Sequence, residues 1–289
     1  MQRLVFVILG VIFAGAIAYS VMQSGKAPPP EHGGTTADRV SERQRARLVE
    51  RPMALVEDGK LAEAQRQFER EYAAMLEKNG EQSITLGDML TAFGVGLWRE
   101  DHEAQAVPYF RRAVAAYRKA VGPDDPEVAL ALNSMADAIY DWDEPTGPPP
   151  EVMDAMRETL RIRRASLGPK NAETAVTYIR LGRLNGHPAV AKGDPARVEA
   201  AAAQARHGLE LLPQTPNLDP SDIGAARRAV AEIYARNGRT QETLAAVQAY
   251  RSGPQALTPI DIKNLEGMLA AAGDPAGAQE LKARFGRQD

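Results

Sequence analysis

Apolar residues recur along most of the chain at intervals of three and four positions, the spacing that forms one face of an α-helix. One such stripe covers residues 106–121, and a second covers 128–139. Between them, Gly122-Pro123 predicts a helix end, because glycine accepts a left-handed cap and proline cannot continue the helical hydrogen bonds. This pattern predicts two amphipathic helices joined by a tight turn.

The same helix–turn–helix pattern occurs again further along the chain. The stretch AVPYFRRAVAAYRKAVGPDDPEVALALNSMADAIY at 106–140 is echoed by VMDAMRETLRIRRASLGPKNAETAVTYIRLGRL at 152–184. An equivalent alanine recurs 42 residues apart, at Ala64 and Ala106. A single helix pair cannot bury its apolar face alone, so neighbouring pairs must stack. The sequence therefore predicts an array of stacked helix pairs.

The stretch at 106–140 resembles the long tetratricopeptide repeats of the kinesin-light-chain type. It carries their A-x-P-x-[YF]-x-R-A core, their G-P-x-x-P turn and their L-N-x-x-A motif. The resemblance covers roughly residues 40–285, and in this family a proline such as Pro108 is tolerated inside the second helix of a pair. It implies an all-α fold, namely a right-handed α-solenoid of about five to six antiparallel helix pairs.

The chain begins with an apolar stretch that is long enough to cross a bilayer. Residues 4–22 hold nineteen residues without a charge, a helix of about 28 Å. We expect residues 1–23 to form a membrane anchor, and a signal peptide cleaved after Ala16-Ile17-Ala18 is the alternative. Residues 24–37 are rich in proline and glycine and predict a linker.

The remaining residues, 38–289, are expected to form the repeat domain. In either case for the N-terminal stretch, we expect this domain to lie outside the cytoplasm, in a periplasmic or extracellular location. The domain is tethered through a single-pass anchor, or secreted if the stretch is cleaved.

Composition and motifs argue against several functions. The net charge is −3 and there is no cysteine, which gives no basic footprint for nucleic acid and excludes disulfides and thiolate catalysis. His102-Glu103 begins like a zinc-protease motif, but Ala106 stands where the second histidine is needed. We predict no metal site, no cofactor and no catalysis. A hydrolase remains an alternative.

The resemblance also implies a binding surface, because the first helices of tetratricopeptide pairs line a concave groove that holds an extended or helical peptide. Carrying the repeat register over gives these candidate partner-binding residues: Trp98, Asn133, Asp137, Tyr140, Arg180, Arg183 and Arg236. Asn133 aligns with the asparagine of the L-N-x-x-A motif and could hold a peptide unit of the partner. Alternatively, Asn133 bonds a neighbouring helix and Tyr140 belongs to the core.

Charge is distributed unevenly along this predicted surface. It is acidic near 137–143 and basic near 180–183, which favours a partner with ordered charges. The arginines between Arg157 and Arg164 are interpreted as an exposed helix face.

We therefore expect a membrane-tethered scaffold that binds a protein or peptide. The alternative is a structural module of an envelope assembly that forms homo-oligomers, with the apolar stretch Ala200–Ala203 as a contact.

Overall fold

The computed structural model describes only part of the chain, and that part is helical. The described residues are 45, 47–141, 146–214, 220–250 and 257–286, and they contain no β-strand. They divide into two compact units. We call the described residues up to 141, together with 149–166, the N-terminal unit. We call 146–148 and the described residues from 167 onwards the C-terminal unit.

In the N-terminal unit the described helices form three pairs, α1 with α2, α3 with α4 and α5 with α6. Their bounds are α1 (Glu50–Glu57), α2 (Leu61–Asn79), α3 (Ile84–Arg99), α4 (Glu103–Val121), α5 (Pro126–Ile139) and α6 (Pro150–Ser166). Each second helix also packs against the first helix of the next pair, α2 on α3 and α4 on α5. This stacking buries the apolar stripes that the sequence predicts.

Aromatic rings fill the core of the N-terminal unit. Phe68 of α2 stacks on Phe93 of α3, with ring centroids 4.4 Å apart, and the edge of Tyr109 meets both rings at 5.2 and 4.9 Å. Phe68 and Phe93 are fully buried. Such offset and edge contacts add to the free energy of burying the rings themselves.

The C-terminal unit also holds three described helix pairs, α7 with α9, α10 with α11 and α12 with α13, and a short helix, α8, lies between α7 and α9. The bounds are α7 (Ala172–Asn185), α8 (Pro188–Ala191), α9 (Pro195–Leu211), α10 (Pro220–Arg236), α11 (Thr240–Tyr250), α12 (Pro259–Ala271) and α13 (Pro275–Phe285). Three described pairs in each unit agree with the five to six pairs that the sequence predicts.

Small residues, in place of rings, bring the first pair of the C-terminal unit together. A Cβ atom at Gly182 of α7 would lie 2.8 Å from the carbonyl oxygen of Ala201, and one at Gly208 of α9 would lie 2.5 Å from that of Ala175. Real Cβ atoms do not approach backbone so closely. Glycine at these two positions therefore lets α7 and α9 pack backbone against backbone.

The predicted turn between repeats is also present. Gly122 ends α4 with φ 93°, a conformation that glycine adopts without steric cost. Asp125 then accepts a hydrogen bond from the Glu127 backbone N–H at 2.9 Å and begins α5. At the equivalent place before α7, Asn171 accepts from the Glu173 N–H at 2.8 Å. The turn therefore keeps its cap although Ala172 replaces the second proline of the motif.

The predicted proline inside the second helix of a pair is confirmed, and two glycines allow close helix contacts. Pro108 lies inside α4, which continues from Glu103 to Val121. Gly94 and Gly96 mark close helix contacts, because a Cβ atom at Gly94 would lie 2.9 Å from the Phe110 ring and one at Gly96 would overlap the Met53 sulfur.

The predicted anchor at 4–22 and the linker at 24–37 lie outside the described residues. Among the helices that are described, none combines the length and the apolar character that a membrane span requires.

Candidate functional site

Each unit places the first helices of its successive pairs side by side. In the N-terminal unit α1 contacts α3 and α3 contacts α5, and in the C-terminal unit α7 contacts α10 and α10 contacts α12. Residues at the same face of these helices therefore meet across pairs, although they are far apart in sequence. In both units, charged side chains join the first helices.

In the C-terminal unit, four residues form a chain of ion pairs across α7, α10 and α12, which we call the first-helix ion chain. The Arg183 Nη2 atom lies 2.8 Å from Glu232 Oε2. The other Glu232 oxygen lies 3.5 Å from Arg228 Nε, and Arg228 Nη1 lies 3.0 Å from Asp261 Oδ1. The chain therefore alternates in charge along its length.

The carboxylates of this chain are buried and the guanidinium groups are partly open. The side chains of Glu232 and Asp261 are 8% and 11% exposed, whereas those of Arg183 and Arg228 are 27% and 29% exposed. The buried acids thus hold the arginines in fixed positions while part of each arginine faces solvent. Such a surface can donate hydrogen bonds to carboxylates or carbonyl oxygens.

Arg180 adds a further cation beside this chain, on the same helix as Arg183. Desolvation of its guanidinium, followed by the positive charge of Arg183, lowers the pKa of Arg180 to about 9, although part of the residue is exposed. At that pKa the guanidinium stays charged at neutral pH. Arg236 of α10 is also partly exposed. The first-helix surface of the C-terminal unit is therefore rich in arginine.

In the N-terminal unit, the carboxylates that join the first helices are buried and the arginine between them is partly exposed. Arg45, which precedes α1, places Nε 2.7 Å from Asp88 Oδ1 of α3 and Nη2 2.9 Å from Glu127 Oε1 of α5. Tyr117 of α4 donates a hydrogen bond to the same Asp88 oxygen at 2.9 Å. We call these four residues the Arg45 cluster.

Burial changes the acid–base properties of the Arg45 cluster. Asp88 is fully buried, and this burial raises its pKa although Arg45 and Tyr117 act in the opposite direction. Burial, followed by the charges of Asp88 and Glu127, raises the pKa of Tyr117 well above its usual value. Tyr117 is therefore a neutral hydrogen-bond donor throughout the physiological range.

The fold itself matches that of solved repeat proteins. A crystal structure of a single-residue variant of a putative kinesin light chain from Podosopora anserina, with nearly identical TPR-like repeats, has a TM-score of 0.52 at 14% identity. The match covers 73% of this chain and 95% of the other. The chain has the tetratricopeptide-like repeat fold.

Two further solved structures are similar to this chain. A second crystal structure of the Podosopora anserina protein has a TM-score of 0.51 at 13% identity, and the match covers 86% of this chain and 98% of the other. BtubC (BKLC) from P. vanneervenii is 16% identical, with a TM-score of 0.49 over 86% of this chain and 92% of its own. No protein-family model and no curated protein matches the sequence.

The candidate partner-binding residues, which were chosen by the tetratricopeptide-like register, differ in their exposure to solvent. In the N-terminal unit, Trp98 and Asp137 are partly exposed, whereas Asn133 and Tyr140 are only 8% and 4% exposed. Asn133 Nδ2 donates a hydrogen bond to Asp137 Oδ2 at 3.2 Å, one turn along α5. Asn133 and Tyr140 therefore offer little surface to a partner in this conformation.

In the C-terminal unit the candidates Arg180, Arg183 and Arg236 keep exposed surface, and Arg183 belongs to the first-helix ion chain.

The sequence did not identify Arg45, Asp88 or Asp261 as members of charged networks. The available signal was a charged residue inside an apolar run, as for Asp88 within ITLGDMLTAF.

The remaining sequence candidates have structural roles. His102 occupies the N-cap position of α4, and the part of the chain that the structure describes holds no group of three metal-ligating residues. Arg157 pairs with Asp154 and Arg161 with Asp124 on exposed surface. Arg163, in contrast, is buried, so only part of this arginine run is an exposed face.

Only part of the run Ala200–Ala203 is exposed as well. Ala201 and Ala202 are buried in the core of the C-terminal unit, whereas Ala200 and Ala203 are exposed.

Proposed function

We propose that this protein is a scaffold that binds a protein or peptide partner on the first-helix surfaces of its tetratricopeptide-like units, without catalysis. The observation that carries the proposal is the first-helix ion chain. Three helices from three successive pairs contribute to it, and two buried carboxylates fix two partly exposed guanidinium groups. An arrangement fixed in advance loses little side-chain entropy when a partner binds.

The partner of the C-terminal unit is a segment that presents carboxylates or backbone carbonyl oxygens. The two acids of the ion chain, Glu232 and Asp261, are turned inwards to the arginines. Part of each arginine side chain stays open to solvent. We expect this binding to weaken as salt is added, because exposed charges are screened by ions.

We further propose that residues 4–22 tether this scaffold to a membrane, with the repeats outside the cytoplasm. Support comes from the nineteen uncharged residues of this stretch and from the proline- and glycine-rich spacer that follows it.

The binding proposal can be tested with one substitution on each helix of a pair. Arg183→Ala removes a guanidinium of the first-helix ion chain, and Arg197→Ala removes a 60% exposed arginine from the second helix α9 of the same pair. Proteins captured from solubilised membranes by the wild type should be retained by Arg197→Ala and lost from Arg183→Ala.

Thermal unfolding of both variants provides the control for folding. If Arg183→Ala unfolds as the wild type does and still captures the same proteins at the same salt concentration, the first-helix surface is not the binding surface. Retention of the chain in carbonate-washed membranes, compared with a variant that lacks residues 1–23, tests the tether separately.

A further inference from the structure

The Arg45 cluster differs from the surface ion pairs of the N-terminal unit. In a surface pair such as Arg111 with Glu151, the side chains are 53% and 42% exposed. In the Arg45 cluster, by contrast, the side chain of Asp88 is 0% exposed and that of Glu127 is 11% exposed. Arg45 thus inserts its guanidinium among groups that belong to three helices, α3, α4 and α5.

Two nitrogens of the Arg45 guanidinium reach two different carboxylates. Nε and Nη2 of Arg45 are nitrogens of one planar fork, and each meets a different carboxylate, at 2.7 Å on Asp88 and 2.9 Å on Glu127. A lysine ammonium is a single point of charge and does not provide two donors in a fixed plane. One guanidinium therefore reaches both carboxylates at once, although its Nε–H makes no aligned hydrogen bond with any described residue.

The rest of the pocket is built independently of Arg45. Asp88 lies within α3, Glu127 in the first turn of α5, and Tyr117 in α4, where it is fully buried and donates to Asp88. The second Asp88 oxygen, Oδ2, is buried and makes no hydrogen bond with any described residue. A buried carboxylate that lacks compensation is costly, so this pocket demands a cation.

We propose that Asp88, Glu127 and Tyr117 form an arginine-recognition site that Arg45 fills in cis, and that an arginine side chain of a partner binds there when Arg45 leaves. The occupant is a guanidinium group carried by a protein or peptide. This inference does not depend on the proposed function of the first-helix ion chain, because it concerns the other unit and the opposite charge.

The site can be opened by Arg45→Ala and then filled with free guanidinium. At constant ionic strength, 10 mM guanidinium chloride should raise the melting temperature of Arg45→Ala by about 3 °C relative to sodium chloride, since a ligand that binds only the folded state stabilises it. The wild type, whose site is filled, should show no rise. A double variant, Arg45→Ala/Asp88→Asn, should not respond either.

A second measurement tests whether an arginine side chain is the ligand. In calorimetric titrations, N-acetyl-arginine amide should bind Arg45→Ala at least about tenfold more tightly than N-acetyl-lysine amide does, and tenfold more tightly than it binds the wild type. Equal affinities for the arginine and lysine compounds, or an equal response of the Asp88→Asn double variant, would overturn the proposal.

Arg45→Ala could fail to fold because it leaves two buried carboxylates without their cation. In that case, refolding in 10 mM guanidinium chloride but not in sodium chloride supports the site, and failure in both overturns it. Arg45→Lys provides a folded comparison, because a lysine retains the charge but not the fork. Guanidinium should also raise its melting temperature, and no rise in either variant contradicts the proposal.

Discussion

The two units build the same kind of helix pair with different interiors. The N-terminal unit fills the space between helices with rings, as where Phe68 stacks on Phe93, and the arginine that joins its first helices is only 17% exposed. The C-terminal unit brings α7 and α9 together through Gly182 and Gly208 and leaves its joining arginines partly open. A repeat pattern therefore specifies where helices stack, while the individual side chains decide which charges reach the surface.

This contrast has a consequence for binding. Under the two proposals, a buried charge such as Asp88 would recognise one group inside a pocket, whereas the partly exposed arginines of the first-helix ion chain would contact acidic groups at the surface.

The largest expected effect concerns the backbone contact of the C-terminal unit. Gly208→Ala should lower the free energy of unfolding by about 3 kcal/mol, because its Cβ would lie 2.5 Å from the Ala175 carbonyl oxygen, which belongs to the backbone of α7 and cannot move aside. Denaturant unfolding of the variant measures the change.

The matched control is Gly267→Ala in α12, where nothing lies within 4 Å of the added Cβ. This variant should be more stable by about 0.5–1 kcal/mol, because alanine favours the helix. If both variants change the free energy of unfolding equally, close packing of α7 and α9 is not the reason that glycine is needed at Gly208.

The next effect concerns the buried charges of the N-terminal unit. Tyr117→Phe removes the hydrogen bond to Asp88 and should cost about 2 kcal/mol at neutral pH, because the acceptor is a buried carboxylate. The folded protein holds the pKa of Tyr117 well above 10, the value of the unfolded chain. This contribution to stability is therefore complete below pH 10 and is lost as the pH rises above it.

Unfolding experiments from about pH 8 to 11.5 check this sign. Above pH 10 the wild type should lose stability more steeply than Tyr117→Phe, by up to about 1.4 kcal/mol per pH unit. If the free energies of unfolding of the two proteins change with pH in parallel, the Tyr117 hydroxyl is not in a desolvated environment beside carboxylates.

The smallest effect compares an ion pair from each unit. A double-mutant cycle on Arg111 and Glu151 should give a coupling free energy of about 0.5 kcal/mol, because both groups are about half exposed. The cycle on Arg228 and Asp261, which are 29% and 11% exposed, should give about 1–2 kcal/mol. A larger coupling for the exposed pair would contradict the expectation that the coupling of an ion pair grows with its burial.

Local signals in the sequence were sufficient for the fold. The apolar stripes and the Gly122-Pro123 turn each act within one or two helices, and the structure places them as expected. The N-caps at Asp125 and Asn171 likewise depend only on neighbouring residues.

The candidate site was harder to predict from the sequence, because it depends on contacts between residues that are far apart in the chain. Arg183 and Glu232 meet across α7 and α10, and Arg45 reaches both α3 and α5. The repeat register predicts which face a residue occupies, but not its depth. Asn133 and Tyr140 were chosen by register alone, and packing leaves them little exposed surface.

Asp261 links helix initiation to surface chemistry in the last pair. Its Oδ2 atom accepts a hydrogen bond from the Thr258 backbone N–H at 2.8 Å as part of the cap of α12, while its Oδ1 atom holds Arg228. Fraying of the first turn of α12 would therefore remove one of the two carboxylates that hold Arg228, a residue of the preceding pair. The position of Arg228 thus depends on the formation of the next helix as well as on Glu232 of its own helix.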